Sequence, residues 1–311
     1  YEALKLFLLG AISRAFKPGC KFEVMLCLVG GQGAGKSSFF RLLAVNDDWF
    51  SDDLKKLDDE NVYRKMQGHW IIEMSEMIAT ANAKSIEEIK SFLSRQKETY
   101  KIPYETHPAD RKRQCVFGGS SNTLDFLPLD RTGNRRFVPV MVYPERAEVH
   151  ILADEQASRE YINQMWAEAM EIYRSGNFRL RFSPAMNDYL KAHQKDFMPE
   201  DTKAGQILDY LERYSGSIVC SKQLYKEALG HDYDEPKQWE LREINDIMNN
   251  AVTGWRAFSN PRYFPEPYRR QKGWERIRND NELDNSMDGF QEIPTEEMEQ
   301  LGLPEEWLKQ K

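Results

Sequence analysis

Apolar positions recur along the chain with two periods, and the switches between them lay out the fold. Leu4, Phe7, Leu8, Ala11, Ile12 and Ala15 share one face at helical spacing. They predict an amphipathic helix over 2–16, stopped by Pro18 and Gly19. Residues 22–29 form a short apolar run that ends in glycines, the pattern of a buried strand. A helix is expected from Lys36 to about Ala44, and loop-like acidic sequence follows over 46–60. Strands are expected at 69–74, 114–120 and 136–143, and Ile86, Ile89, Phe92 and Leu93 mark a helix between the first and second of these. Strands alternating with helices predict an α/β core around a mainly parallel sheet.

After Pro144 the texture is helical. Ile162, Met165, Trp166, Ala169, Met170 and Tyr173 make one apolar stripe closed by Gly176. Ser183-Pro184 is an N-cap and first-turn pair for another helix. Residues 198–204 read as a linker. Three short helical patterns follow: Ile207/Leu211/Tyr214, residues 221–229, and Trp239/Ile244/Ile247/Met248. Alternating residues around Trp255, Phe258 and Tyr263 come next, and that order suits a winged-helix module, with a plain helical cap as the alternative. The expected division is a core over 1–145, a helical connector over 146–202, the winged helix over 203–279 and a solvated acidic tail over 280–311.

Composition changes this picture in one respect. The 311 residues carry a net charge of −7, which taken whole speaks against a nucleic-acid partner. From Asn281 to Lys311, however, there are nine acids and two bases, so residues 1–280 balance at 41 of each. Two basic runs stand out within that neutral body. Residues 90–136 hold ten bases and five acids, and residues 256–278 hold seven bases and two acids. The tail suits a docking or autoinhibitory segment for a basic surface, or a plain solvated appendage. No apolar run is long enough to span a bilayer and no secretory leader is evident. A cytoplasmic protein is expected. The chain opens at Tyr1, which reads as a fragment or a processed product. Cys20, Cys27, Cys115 and Cys220 show no metal-ligand spacing and are expected to be reduced structural thiols.

The chemistry begins at Gly30-Gly31-Gln32-Gly33-Ala34-Gly35-Lys36-Ser37, a full G-x-x-x-x-G-K-[ST] match between an expected strand and an expected helix. Glycines let backbone N–H groups turn inward around phosphate oxygens, and the helix N-terminus adds partial positive charge. ATP and Mg²⁺ are the expected ligands. Gly31, Gln32, Gly33, Ala34, Gly35, Lys36, Ser37 and Ser38 are the expected nucleotide contacts, with Lys36 on the β/γ-phosphates and Ser37 on the metal. Such enzymes need a carboxylate at the tip of the neighbouring strand, and HWIIEMSEM supplies Glu73 and Glu76. Glu76 is the expected catalytic base and, with Ser37, the expected metal-side residue. Glu73 falls within the strand, and its part is left open. A third strand ends at Asn122, whose amide suits a γ-phosphate sensor.

Together, GGQGAGKSS, HWIIEMSEM, IKSFLSRQKETYKIPYE and SSNTLDFLPLDRTGNRRFVPV resemble the helicase domain of the virulence-associated protein E family, related to superfamily 3 helicases of phages and pathogenicity islands. The likeness is strong over about 1–145 and weak beyond. It implies an AAA+-like ATPase that forms a ring, usually a hexamer, and moves along single-stranded DNA, often behind a primase-type domain. Ser120-Ser121-Asn122 stands where the family has Thr-Thr-Asn, and Glu98 and Lys101 flank Tyr100 where it has Asp and Arg. Both changes leave the roles intact.

Arg135 and Arg136 adjoin an expected strand, so their side chains are expected on opposite faces, with different jobs. Arg135 is the first choice for an arginine finger reaching a neighbouring subunit's γ-phosphate, and Arg136 serves as finger or as structural ion pair. Residues 100–113 suit a hairpin entering a central channel, as superfamily 3 helicases have before the sensor strand. Lys101 and His107 are its expected DNA contacts. The leading expectation is an ATP-driven, ring-forming DNA helicase for replication of a mobile element. An ATP-controlled DNA-binding initiator or regulator is the alternative, and a small-molecule kinase a third class that Asn122 and the arginine pair disfavour.

Overall fold

A computed structural model describes residues 1–54, 57, 62–76, 83–101, 107–129 and 134–277. The acidic tail, Arg131, Gly133, Arg278 and the tip of the 100–113 segment lie outside these. The chain divides into two compact units, 1–201 and 202–311.

The first unit is built on a five-stranded sheet. Its strands are β1 (Met25–Val29), β2 (Phe50–Ser51), β3 (Ile71–Ser75), β6 (Val116–Ser121) and β7 (Phe137–Met141), in the order β2-β3-β6-β1-β7. Every neighbouring pair is parallel. All five β1 residues are buried, as expected for a central strand with helices on both faces. On one face lies a core around Phe92, Phe117 and Phe137, to which helix α4 (Ala83–Ser94) contributes. On the other lies a core around Phe7, Leu28 and Phe40, from helices α1 (Glu2–Phe16) and α2 (Lys36–Leu43).

Close packing on this second face depends on a missing side chain. A Cβ at Gly118 would sit 2.4 Å from the Phe40 ring, so only glycine lets α2 lie this close to β6. Helix α1 is more deeply set than its one-sided stripe predicts, because residues 6–14 are all buried. Helix α5 (Glu155–Ser175) is the reason: Ile162 and Ala169 pack into the same core and cover the face that the pattern leaves to solvent. Arg14, 1% exposed, donates from its terminal guanidinium nitrogens to the carbonyl oxygens of Phe22 and Cys115. Helix α6 (Pro184–His193) starts as its sequence predicts, with Ser183 Oγ accepting from the Met186 N–H at 3.2 Å.

Other expectations are revised. The 46–60 stretch is not all loop, since residues 47–49 make one tight turn and β2 adds an edge strand. Helix α3 (Val62–Lys65) precedes β3. The acid-bearing strand is not next to the P-loop strand, because β6 lies between them. Strands β4 (Lys97–Tyr100) and β5 (Ala109–Lys112) form an antiparallel hairpin in the 100–113 region. Its root is fastened by Arg113, whose side chain is fully buried, paired with Glu98 and lying over the Phe92 and Phe117 rings.

The second unit contains helix α7 (Thr202–Arg213), strand β8 (Ile218–Cys220), helix α8 (Ser221–Gln223) that runs on as a wider turn to Ala228, and helix α9 (Gln238–Asn250). Strands β9 (Trp255–Phe264) and β10 (Arg269–Arg276) complete it. Its antiparallel sheet has the order β8-β10-β9. Ile207, Leu224, Ile244, Ile247 and Trp274 form its core. The expected linker is shorter than 198–204, since α7 already starts at Thr202.

No helix among the described residues is long and apolar enough to cross a membrane. The four cysteines are free. Burial raises the Cys27, Cys115 and Cys220 thiols, Cys220 to about 11, which keeps them protonated and unreactive.

Candidate functional site

Register brings the site together. Val29 of β1 is level with Ser121 of β6, and Ser75 of β3 is level with Ser120. The C-terminal ends of three strands therefore stop at one edge of the sheet. The glycine loop leaves β1 there, Glu76 leaves β3 and Asn122 leaves β6. Backbone bonds lock the exits, from the Gly30 N–H to Ser121 O at 3.2 Å and from the Glu76 N–H to Ser120 O at 3.0 Å.

The loop from Gly31 to Gly33 is exposed, Ala34 and Gly35 are half-buried, and nothing lies within 4 Å of where a Cβ at Gly31 or Gly33 would be. Gly35 takes φ +79° directly before α2, a left-handed conformation that glycine adopts without steric cost. Lys36 is the first residue of α2 and is buried. Its ammonium donates to Gly30 O at 2.7 Å, Gly31 O at 2.8 Å and Asn122 Oδ1 at 2.8 Å. Burial lowers its pKa, and the Glu76 and Glu73 carboxylates offset part of that. Ser38 is half-buried one residue beyond Ser37.

The two glutamates separate. Glu73 is fully buried in β3, level with Gly118 of β6. Its Oε1 accepts from Ser37 Oγ at 2.8 Å and from Ser120 Oγ at 2.5 Å, so the carboxylate spans β6 to reach the P-loop serine. Its Oε2 has no hydrogen-bond partner although it is buried. Glu76 lies one residue past β3 with φ +51°, a strained conformation for a residue with a side chain, which costs about 1–3 kcal/mol. Its Oε1 accepts from the Asn122 N–H at 2.8 Å. Asn122 thus holds Lys36 with its side chain and Glu76 with its backbone.

These bonds give Ser37 to Glu73 and Glu76 to Asn122, where the sequence pairs Ser37 with Glu76 on the metal side. A carboxylate that accepts from the Ser37 hydroxyl and keeps a second, unpartnered oxygen fits a supporting role for a Mg²⁺ held at Ser37. Among the described residues no group of three or more His, Cys, Asp and Glu forms an all-protein metal cage.

Arg135 and Arg136 are not on opposite faces of a strand. Strand β7 starts only at Phe137, so both lie in the preceding turn and both reach Glu23. Arg135 Nη2 is 2.9 Å from Oε1, and Arg136 Nε is 3.4 Å from Oε2. Arg136 also donates to Ser94 Oγ at 2.9 Å and is mostly covered, whereas the Arg135 side chain is 71% exposed. Lys101 and His107 are exposed and flank the tip of the β4–β5 hairpin, away from the three-strand edge in sequence.

His150 is a site residue that sequence reasoning misses. A Cβ at Gly35 would stand 2.8 Å from Ile151 Cγ2, so the 150–152 turn packs directly on the glycine loop. The Leu152 N–H donates to His150 Nδ1 at 3.2 Å, which places the neutral ring's proton on Nε2. Nε2 then donates to Gly33 O at 3.2 Å. The turn is itself anchored, because Ser158 Oγ donates to Ile151 O and Arg41 of α2 pairs with Glu155 of α5 at 2.9 Å. A lone histidine between two aliphatic residues carries no motif, and only the tertiary contact with Gly33 reveals it.

A family model described as the virulence-associated protein E-like domain matches residues 1–199. No curated protein matches the chain. Among solved structures, the apo NrS-1 C-terminal region is 16% identical with a TM-score of 0.50, covering 89% of this chain and 72% of that one. That likeness is one of fold. A second structure of the same region is 15% identical with a TM-score of 0.48, at the same coverage.

Proposed function

The chain belongs to the virulence-associated protein E-like domain family, and from that premise we propose that it is an ATP-driven, ring-forming DNA helicase of the superfamily 3 type. It serves replication of a phage or other mobile element in the bacterial cytoplasm. One observation carries the reading: Lys36, Ser37, Glu73, Glu76 and Asn122 converge where β1, β3 and β6 end. The placement of β6 between the acid strand and the P-loop strand supports an AAA+-like core.

ATP is the substrate, with its phosphates on the backbone N–H groups of residues 31–38. Lys36 exchanges its carbonyl and amide acceptors for phosphate oxygens. Ser37, supported by Glu73, would hold Mg²⁺, which would supply charge neutralisation to the phosphates. Glu76 accepts a proton from the attacking water and orients it. Asn122 touches both Lys36 and Glu76, so a change at the γ-phosphate shifts the end of β6. Arg113 and Cys115 connect β6 to the β4–β5 hairpin, where Lys101 and His107 meet DNA. Arg135 serves as the finger into a neighbouring subunit of a hexamer, and Arg136, tied to Ser94 and Glu23, fixes the turn. The order of helices and antiparallel strands in the second unit supports reading it as a winged helix. A primase-type protein is the expected replication partner.

Two substitutions test this division. Glu73→Gln still accepts from Ser37 and Ser120 but loses its charge. It is expected to raise the Mg²⁺ needed for half-maximal hydrolysis about tenfold or more, and an unchanged Mg²⁺ titration counts against the metal-side role. His150→Ala removes one hydrogen bond, about 1 kcal/mol, from the glycine loop. The KM for ATP is expected to rise about fivefold at unchanged kcat, with partial recovery in His150→Gln, whose amide also donates. A kcat loss at constant KM assigns His150 to the chemical step instead.

The helicase reading itself is tested on a forked DNA substrate with ATP, alongside native mass measurement. ATP-dependent strand separation by a ring supports it. DNA-stimulated hydrolysis without separation favours the initiator reading.

A further inference from the structure

Charge in the second unit is sharply segregated. Helix α9, the third helix, carries Glu240, Glu243 and Asp246 against Arg242 alone. The loop before it adds Asp232, Asp234 and Glu235 against Lys237. The β9–β10 hairpin carries six bases (Arg256, Arg262, Arg269, Arg270, Lys272 and Arg276) against Glu266 and Glu275. A helix that reads a DNA groove approaches phosphates on both sides, and an acidic one is repelled by them.

We infer that the second unit grips the phosphate backbone of single-stranded nucleic acid with the β9–β10 hairpin, and that α9 faces away from it. This rests on the nucleic-acid part of the function proposed above. Arg276 is not part of the grip, because it donates to Leu211 O and Tyr214 O and lies over the Trp255 ring. The other five bases are accessible. Arg256 and Arg269 side chains are 73% and 77% exposed, Arg262 is 44% exposed, and Arg270 and Lys272 are exposed. Three of them rest on the hairpin's own acids, Arg256 and Arg262 on Glu275 and Arg269 on Glu266. The Arg269–Glu266 pair is exposed on both sides and worth little, so a phosphate displaces that carboxylate at small cost. Tyr263 is 68% exposed and stands opposite Arg270 in the strand register. An exposed ring beside a guanidinium is a stacking platform for an unpaired base, which a duplex does not offer.

The test is a fluorescence-anisotropy titration of the full chain with a labelled oligothymidine, without nucleotide, over a range of salt. The double variant Arg269→Glu/Arg270→Glu is expected to weaken binding at least about tenfold and to flatten the salt slope by about 1.4, two contacts at ~0.7 each on a single strand. Tyr263→Ala is expected to cost about fivefold or more. Arg242→Ala and Trp239→Ala, on α9, are expected to stay within about twofold of wild type. Lys272→Glu serves in place of the double variant if that protein's melting temperature falls. A larger loss from the α9 variants than from the hairpin variants overturns the inference, as does tighter binding to a duplex that the hairpin variants leave unchanged. Because no nucleotide is present, failure of the hydrolysis reading leaves this result standing, and failure here leaves hydrolysis untouched.

Discussion

Glu76→Gln is expected to slow ATP hydrolysis by about a hundredfold to ten-thousandfold while nucleotide still binds, the range for removing a positioned general base. The geometry isolates the charge as the cause. A glutamine oxygen still accepts from the Asn122 N–H, so the contact at 2.8 Å survives and only the proton acceptor is lost. The backbone at Glu76 is already held at φ +51°, and the substitution leaves that conformation as it is. Strain kept at a strand tip is informative, because a residue there relaxes unless its surroundings over-determine it. Single-turnover hydrolysis beside equilibrium ATP binding makes the check. Equal loss of binding and hydrolysis would move Glu76 from the chemical step to the nucleotide pocket. Glu73→Gln gives the contrast, since its expected effect is on Mg²⁺ dependence.

Lys36→Ala is expected to weaken ATP binding about tenfold to a hundredfold and to lower hydrolysis further, by a hundredfold or more overall. The ammonium makes three charge-assisted bonds, to Gly30 O, Gly31 O and Asn122 Oδ1. With nucleotide bound, phosphate oxygens take their place, and alanine offers no donor. Stability should change little, because the carbonyls left behind sit on a loop open to water, with Gly31 exposed. An unaltered melting temperature with lost binding identifies Lys36 as a ligand group. Unfolding on substitution would mean that its main service is to hold the loop.

Much of this site is legible in the sequence because its parts are local. The glycine loop, the strand before it and the helix after it occupy one continuous stretch, and each residue type has its own steric or electrostatic reason. Glu76 and Asn122 are legible as polar residues at the ends of apolar strands. What is not legible depends on order across the sheet. With β6 between β1 and β3, Glu73 meets Ser37 and Ser120, which no spacing along the chain encodes. The arginine pair fails for a smaller reason: alternation holds within a strand, and β7 begins one residue after Arg136. His150 is invisible because its role lies in one tertiary contact with Gly33. Helix α1 reads as half-exposed because the pattern shows one apolar face and cannot show α5 covering the other.

Net charge changes meaning in the same way. Taken whole, −7 disfavours nucleic acid. Along the chain and in the fold, positive charge collects on the β9–β10 hairpin of the second unit, with six bases against two acids. The hairpin suits this use, since it keeps Phe258, Phe264 and Trp274 in the core while its arginines stay exposed.

The most direct test of the central claim is steady-state phosphate release by the full chain with Mg²⁺ and ATP, with and without single-stranded DNA, in wild type and Lys36→Ala. The account predicts hydrolysis by wild type that rises several-fold with DNA and is lost in Lys36→Ala. No hydrolysis by wild type under either condition, or an equal rate in Lys36→Ala, would contradict it.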